Sequence, residues 1–255
     1  MASTPKCPRS KRFSQEKHLN PAVDPALPGP PVALASLGLL FYSQCTSFPS
    51  MKFALLFLTL FLRNAHALEI ADLKSGDIIL QSIPCYICAL IELEEGAPYS
   101  HMGVVLKTET SLDVLQAWTS VEELPIQTTL SFRKPHTSTL VLRAIDPNGN
   151  EISFDTEKLA ASFAKNFNGL SYDSDFLWNN TDAKGEKLYC SEFVTKFLNP
   201  FLPVAIPTKP MHFTHDRPDW ITYFHGTPPD GQPGNSPADF SRSNLFKTLG
   251  EIRAN

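Results

Sequence analysis

The sequence of 255 residues lacks several features that identify common classes of protein. Its apolar runs, 32–41 and 53–62, reach only about ten residues, whereas a membrane-spanning helix needs about 20. Its 22 Lys and Arg are outnumbered by 26 Asp and Glu, which argues against binding to a phosphate backbone. Five cysteines are too few for a disulfide-dense scaffold. The G-x-S-x-G, P-loop and dinucleotide-binding motifs are also missing, so a serine hydrolase or a nucleotide-binding fold is not indicated.

The first 67 residues differ from the rest in composition. Residues 1–50 hold eight of the 22 prolines and show no sustained periodicity, so we expect a disordered extension or one that arises from an upstream start codon. From Met51, a short basic start is followed by the apolar run 53–62 and a small-x-small end. This pattern predicts a secretory signal peptide at 51–67, cleaved after Ala67, with Met51 as the functional start.

The expected mature chain, residues 68–255, has 188 residues and forms one domain. Seven Lys and Arg and two Asp and Glu precede residue 68, so 15 basic residues remain against 24 acidic ones, and the net charge changes from -4 to -9. We expect this product to be extracytoplasmic, either periplasmic or secreted, with no transmembrane span and no nucleic-acid partner.

Periodicity and turn residues predict an α+β fold with a small antiparallel sheet packed with helices. Short apolar or alternating runs predict strands at 78–81, 101–106, 112–118 and 139–145. Apolar residues at helical spacing predict helices at 84–94, 155–167 and 190–198. Proline and glycine dominate from 199 to about 237, where we expect long loops.

The expected mature chain keeps three cysteines, and an odd number indicates one free thiol. Cys190 stands at the start of a predicted helix, where unpaired N–H groups and the helix dipole lower the pKa of a thiol. The other two, Cys85 and Cys88, have the C-x-x-C spacing of a redox or metal half-site. Their apolar surroundings and the lack of a second such motif favour packing within a helix, with a local disulfide as the next alternative.

Three histidines in the proline-rich part of the chain, His212, His215 and His225, suggest zinc ligands at first inspection. No matching carboxylate spacing accompanies them, so we predict neither a metal nor a cofactor.

Several segments resemble the YiiX/YebB-like branch of the NlpC/P60 cysteine hydrolases. Residues 73–81, 98–105 and 189–194 carry the Gly-Asp-Ile-Ile, Ser-His-Met-Gly and Tyr-Cys-Ser-Glu pieces of that pattern. Residues 169–176 resemble its G-x-x-Y-D-x-x-F segment. The resemblance implies a circularly permuted papain-like fold in which the catalytic histidine precedes the catalytic cysteine.

The resemblance also implies roles for four residues. Cys190 matches the nucleophile and His101 the general base, while Gln116 falls where the family places the residue that orients the histidine. Many relatives have an acidic residue there, and an amide can fix the ring but cannot stabilise imidazolium by charge. Tyr172 matches a tyrosine beside the nucleophile that positions substrate or binds the oxyanion, although an aromatic core position explains it equally well.

Three functions remain open from the sequence. The first is an amidase or peptidase that cleaves an amide bond by acyl transfer from a Cys190 thioester, with cell-wall peptide as the expected substrate. The second is a lipid-directed acyltransferase or thioesterase, with the apolar 84–91 segment lining a groove. The third is a binding module with an inert site, for which Gln116 is the hint.

Mass spectrometry of the exported protein is expected to find Leu68 as its first residue, because cleavage should follow Ala67. A mature N-terminus far upstream of Leu68 would contradict the start at Met51.

Overall fold

The computed structural model describes residues 68–253, so the predicted extension and signal peptide at 1–67 lie outside the described residues. The centre of this part of the chain is a six-stranded antiparallel sheet with the strand order β10-β5-β1-β2-β3-β4. Two short hairpins, β6-β7 and β8-β9, lie outside it. In chain order the strands are β1 Ile78–Gln81, β2 His101–Lys107, β3 Leu112–Ala117, β4 Val121–Pro125, β5 Thr139–Ala144, β6 Thr181–Asp182, β7 Gly185–Glu186, β8 Lys209–Pro210, β9 Pro233–Gly234 and β10 Phe246–Ile252.

Helices connect these strands and cover the sheet. They are α1 Tyr86–Glu95, α2 Ile126–Ser131, α3 Thr156–Asn166, α4 Cys190–Leu198, α5 Arg217–Phe224 and α6 Pro237–Arg242, with 3-10 turns at Ile70–Asp72 and Asn199–Phe201. Within residues 68–253, none of the helices has the length and apolar character that crossing a bilayer requires.

The sheet is buried on both faces, and its central strands carry apolar residues at successive positions, such as 78–80 of β1 and 104–106 of β2. Ile78 and Leu80 of β1 point to a large core that includes α3 and α4, whereas Ile79 points to a smaller core closed by α2 and β10. Alternate residues of one strand therefore belong to different cores, as a side-chain period of two requires.

The helix α4 lies within the larger core and is buried along its whole length. Phe193 and Phe197, one turn apart on α4, stack with ring centroids 5.5 Å apart and meet Phe163 of α3 edge to face. Burial of these rings fixes α4 against the sheet, and it places the first turn of α4 beside the start of β2.

The predicted α+β fold with an antiparallel sheet is confirmed, and so are the four strands and three helices within one or two residues at each end. The prediction of long loops from 199 to about 237 is wrong at 217–224, where α5 forms. It begins with Pro218 in its first turn and buries Trp220. The strand β10 was also missed, since its buried ends, Phe246 and Ile252, are separated by exposed and half-buried residues.

A buried ion pair joins β5 to the turn before β1. The Arg143 guanidinium donates from Nε to Asp77 Oδ1 at 2.7 Å and from Nη2 to Asp77 Oδ2 at 2.8 Å. The two side chains are only 8% and 1% exposed. A two-bond contact of this kind satisfies both charges, but removal of either partner leaves an unpaired charge in the protein interior.

Replacement of Arg143 by Leu is expected to lower the free energy of unfolding by about 3–5 kcal/mol, because Asp77 would remain buried without its partner. Urea unfolding measures this loss. The control is Lys74→Leu, which removes an exposed partner of Glu151 3.5 Å away and should cost at most about 1 kcal/mol. Equal losses of unfolding free energy in the two variants would contradict a special role for the buried Arg143–Asp77 pair.

Candidate active site

The thiol of Cys190 lies at the first position of α4, directly after the N-cap residue Tyr189. Backbone hydrogen bonds from Met102, Ser191 and Cys190 itself, together with the Ser191 side chain, favour its ionised form. Met102 follows His101 on β2, so the sulfur lies against the strand that carries the histidine. The strand that begins with His101 therefore packs against the helix that begins with Cys190, although the two residues are 89 positions apart in the sequence.

Burial dominates the electrostatics of this thiol. Desolvation raises the pKa of Cys190 to about 11, although the backbone hydrogen bonds act in the opposite direction. The sequence-based expectation of a lowered pKa is therefore wrong in its net direction, because the position on a helix indicates the N–H donors but not the depth of burial. The Cys190 thiol is therefore protonated at neutral pH in the folded protein. A base must remove this proton before the sulfur can attack a carbonyl.

His101 is held by Gln116 on the neighbouring strand. Its Nε2 lies 2.8 Å from Oε1 of Gln116, and both side chains are buried. Gln116 pairs with Gly103 across β2 and β3. A Cβ atom added at position 103 would come within 2.5 Å of the Val114 side chain. Because an amide oxygen only accepts, this arrangement puts the proton on Nε2 and leaves Nδ1 as the basic nitrogen.

The imidazole is neutral in this environment. Burial lowers the pKa of His101 to about 4, and the hydrogen bond to Gln116 offsets only part of that shift. Trp118 meets the imidazole edge to face at 5.1 Å, and Phe132 stacks on Trp118, so aromatic rings shield this side of the histidine. A neutral imidazole can act as the general base that a protonated thiol needs before it attacks a carbonyl.

A small cavity of about 50 Å³ opens beside the thiol. Its lining is mainly aromatic and aliphatic, with the carboxylates of α1 and a few polar groups. The lining residues are Ile91, Glu94, Glu95, Tyr172, Phe176, Tyr189, Cys190, Ser191, Met211, His212, Phe213, Trp220, Asn235, Ser236 and Pro237.

Tyr172 lines this cavity and also packs against two apolar clusters, so both sequence-based interpretations describe its position. Its hydroxyl lies close enough to Cys190 for their charges to interact, and burial raises the pKa of the phenol well above its usual value. The hydroxyl therefore stays protonated and can donate a hydrogen bond near the thiol.

Sequence reasoning missed most of the cavity wall. Phe213 and Trp220 come from the segment expected to be loop, and Glu94 ties that segment to α1 by accepting from the backbone N–H groups of Thr214 and His215, each at 2.7 Å. A detectable indication was Trp220, Tyr223 and Phe224 at helical spacing behind a proline.

The other cysteines and histidines singled out from the sequence do not form a metal site in the described residues. Cys85 and Cys88 form a disulfide at the start of α1, so the preference for unbonded packing is wrong and the second alternative is correct. Cys190 is the free cysteine of the described segment. His212 lines the cavity, whereas His215 lies 3.5 Å from Glu94. Between residues 68 and 253, no group of three or more His, Cys, Asp or Glu side chains is placed to hold a metal ion.

Because the Cys190 thiol and the His101 imidazole are both uncharged at neutral pH, the reactivity of Cys190 should depend on pH. Its rate of alkylation by iodoacetamide, followed peptide by peptide in the mass spectrometer, should rise steadily from pH 7 to pH 10, without an acidic plateau. Gln116→Glu should shift the profile to lower pH, because a carboxylate beside the imidazole raises the pKa of His101 and favours the thiolate–imidazolium pair.

The matched control is Gln127→Glu, the same change at an exposed position on α2, which should leave the profile unchanged. A wild-type profile already flat and fast at pH 5 would show a preformed ion pair and overturn the neutral assignment.

Two comparisons with known proteins bear on the fold and the chemistry. A family model described as permuted papain-like amidase enzyme, YaeF/YiiX, C92 family, matches residues 72–250. The chain is also similar to a solved structure described as the metalloprotein YiiX from Escherichia coli O157:H7. The TM-score is 0.59 and the sequence identity 21%, over 70% of this chain and 97% of that one. No curated protein matches the chain.

The likeness to YiiX shows the fold, and the family model covers more than half of the chain. The predicted resemblance to YiiX-like permuted papain-like hydrolases is thereby confirmed, with amidase rather than NlpC/P60 in the description of the family. This chain belongs to the permuted papain-like amidase family, YaeF/YiiX, C92.

Proposed function

We propose that the protein is an exported cysteine amidase in which Cys190 is the nucleophile, His101 the general base and Gln116 the residue that orients His101. The observation that carries this proposal is the 2.8 Å contact between His101 Nε2 and Gln116 Oε1. It leaves Nδ1 of the imidazole as the basic nitrogen on the strand against which the thiol packs.

The proposed reaction has two half-reactions. His101 Nδ1 takes the thiol proton as Cys190 Sγ attacks the carbonyl carbon of an amide. The N–H groups around the sulfur, those of Met102 and of the first turn of α4, supply donors for the oxyanion. The imidazolium then gives its proton to the leaving amine, and a thioester remains on Cys190. Water, deprotonated by His101, hydrolyses the thioester and releases a carboxylic acid.

Gln116 limits the rate of this chemistry in a specific way. Its amide oxygen fixes the ring, but it carries no charge to stabilise the imidazolium that forms in each half-reaction. The Tyr172 hydroxyl, protonated and close to Cys190, is one side-chain donor that the cavity offers to a substrate carbonyl. We assign it to substrate positioning or oxyanion binding.

The first candidate substrate is a peptide-like amide of the cell wall, which fits an exported amidase. The aromatic and aliphatic lining of the cavity supports a second candidate, an acyl lipid, because Phe176, Phe213 and Trp220 present apolar surface beside the thiol. Ile91, from the apolar segment expected to line a lipid groove, is part of this lining.

An activity-based thiol probe tests whether the site is catalytic. We expect labelling of Cys190 in the folded full chain, its loss in Cys190→Ala and at least a tenfold slower reaction in His101→Ala, because the base is then missing. Lys158→Ala, an exposed change on α3, is the control and should label like wild type. Unlabelled Cys190 in folded protein, under conditions where a surface thiol reacts, would favour an inert binding module.

The substrate class is tested separately by incubating the protein with muropeptides and with acyl lipids and identifying the products by mass spectrometry. Cleavage of an amide bond in muropeptides, absent in Cys190→Ala, supports the first candidate. Release of a fatty acid supports the second. Binding of wall fragments without cleavage of either substrate would contradict both enzymatic proposals.

A further inference from the structure

A partly buried hydrogen-bond network lies directly before His101. Glu92 of α1 accepts, on the single oxygen Oε1, from the hydroxyl of Ser82 at 2.6 Å and from the hydroxyl of Ser100 at 2.8 Å. Ser100 Oγ in turn accepts from the backbone N–H of Ile83 at 3.1 Å. Both serines are almost fully buried. The network connects the end of β1, the middle of α1 and the start of β2.

Ser100 is the member of this network that reaches the site. Its backbone N–H donates to Gln81 O at 2.9 Å, and it immediately precedes His101. The backbone from 100 to 102 then has two functions, because it carries the imidazole and presents the Met102 N–H to the Cys190 sulfur. A shift at Ser100 would therefore move the base and a hydrogen-bond donor together.

Gln116 alone does not fix this backbone. It holds His101 at the tip of the ring, through Nε2, whereas the Glu92–Ser100 contact holds the main chain from which the ring projects. The orientation of the imidazole depends on both the anchor at Nε2 and the position of the main chain. A ring that is anchored only at Nε2 can move when its Cα moves.

We propose that Glu92, acting through the Ser100 hydroxyl, is a positioning residue that sets the place of His101 for amide hydrolysis. The proposal rests on the proposed function of His101 as the base. Glu92 is not among the residues that line the cavity beside Cys190, so its loss should lower kcat and leave KM nearly unchanged.

The two serines provide a matched pair of variants. Ser82→Ala and Ser100→Ala each remove a hydroxyl that donates to the same carboxylate oxygen, but only Ser100 joins that oxygen to the strand of His101. A purely structural network would make the loss of activity follow the loss of stability in both variants. A positioning role makes Ser100→Ala the more damaging change at equal stability.

The experiment measures kcat and KM for amide cleavage in muropeptides, and the thermal unfolding midpoint, for the full chain and four variants. We expect Glu92→Ala and Ser100→Ala to lose at least tenfold in kcat with KM changed less than threefold, and Ser82→Ala to stay within threefold of wild type. Glu92→Gln keeps an acceptor oxygen and should restore most of the activity lost in Glu92→Ala.

Three results would overturn the proposal: wild-type kcat in Ser100→Ala, equal losses in the two serine variants, or Glu92→Gln as inactive as Glu92→Ala. If Glu92→Ala does not fold, the serine pair alone decides. If wild-type protein cleaves no amide, the proposed function fails, and the alkylation rate of Cys190 in the same variants decides on positioning. A rate at least threefold lower in Ser100→Ala than in Ser82→Ala would support it, and equal rates would end it.

Discussion

Packing of α4 against the sheet determines the chemistry around Cys190. The helix is buried because Phe193, Phe197 and their neighbours fill the larger core, and its first residue comes to rest against β2. The same packing that gives the thiol its backbone donors also removes it from water. The second effect is the larger, so the pKa of Cys190 rises even though the start of a helix favours the thiolate.

Burial acts on the histidine with the same result for the pair. Loss of water lowers the pKa of His101 and raises that of Cys190, and both changes favour the neutral forms. The neighbour of His101 is an amide, which adds a hydrogen bond but no charge. In the proposed reaction, proton transfer from thiol to imidazole would be part of the catalytic step, and polar groups of the substrate would have to help make it favourable.

Local pattern was enough to predict the elements that carry the candidate site. The alternation in 101–106 and 112–118 and the apolar face of 190–198 identify β2, β3 and α4, and the Ser-His-Met-Gly and Tyr-Cys-Ser-Glu pieces single out His101 and Cys190. Burial depth was not accessible in this way, because it depends on which distant segments cover a residue. The cavity wall was missed for the same reason, since Trp220 and Phe213 approach the thiol only through long-range packing with α1.

The protonated, enclosed thiol has a consequence for the chemical durability of the protein. Peroxides and disulfides react with thiolates, and they reach exposed sulfur atoms first. In surroundings oxidising enough to keep Cys85 and Cys88 bonded, an open, ionised Cys190 would soon be converted to sulfenic acid or a mixed disulfide. With 5% of the residue exposed and its thiol protonated, Cys190 instead offers such oxidants little reactive sulfur.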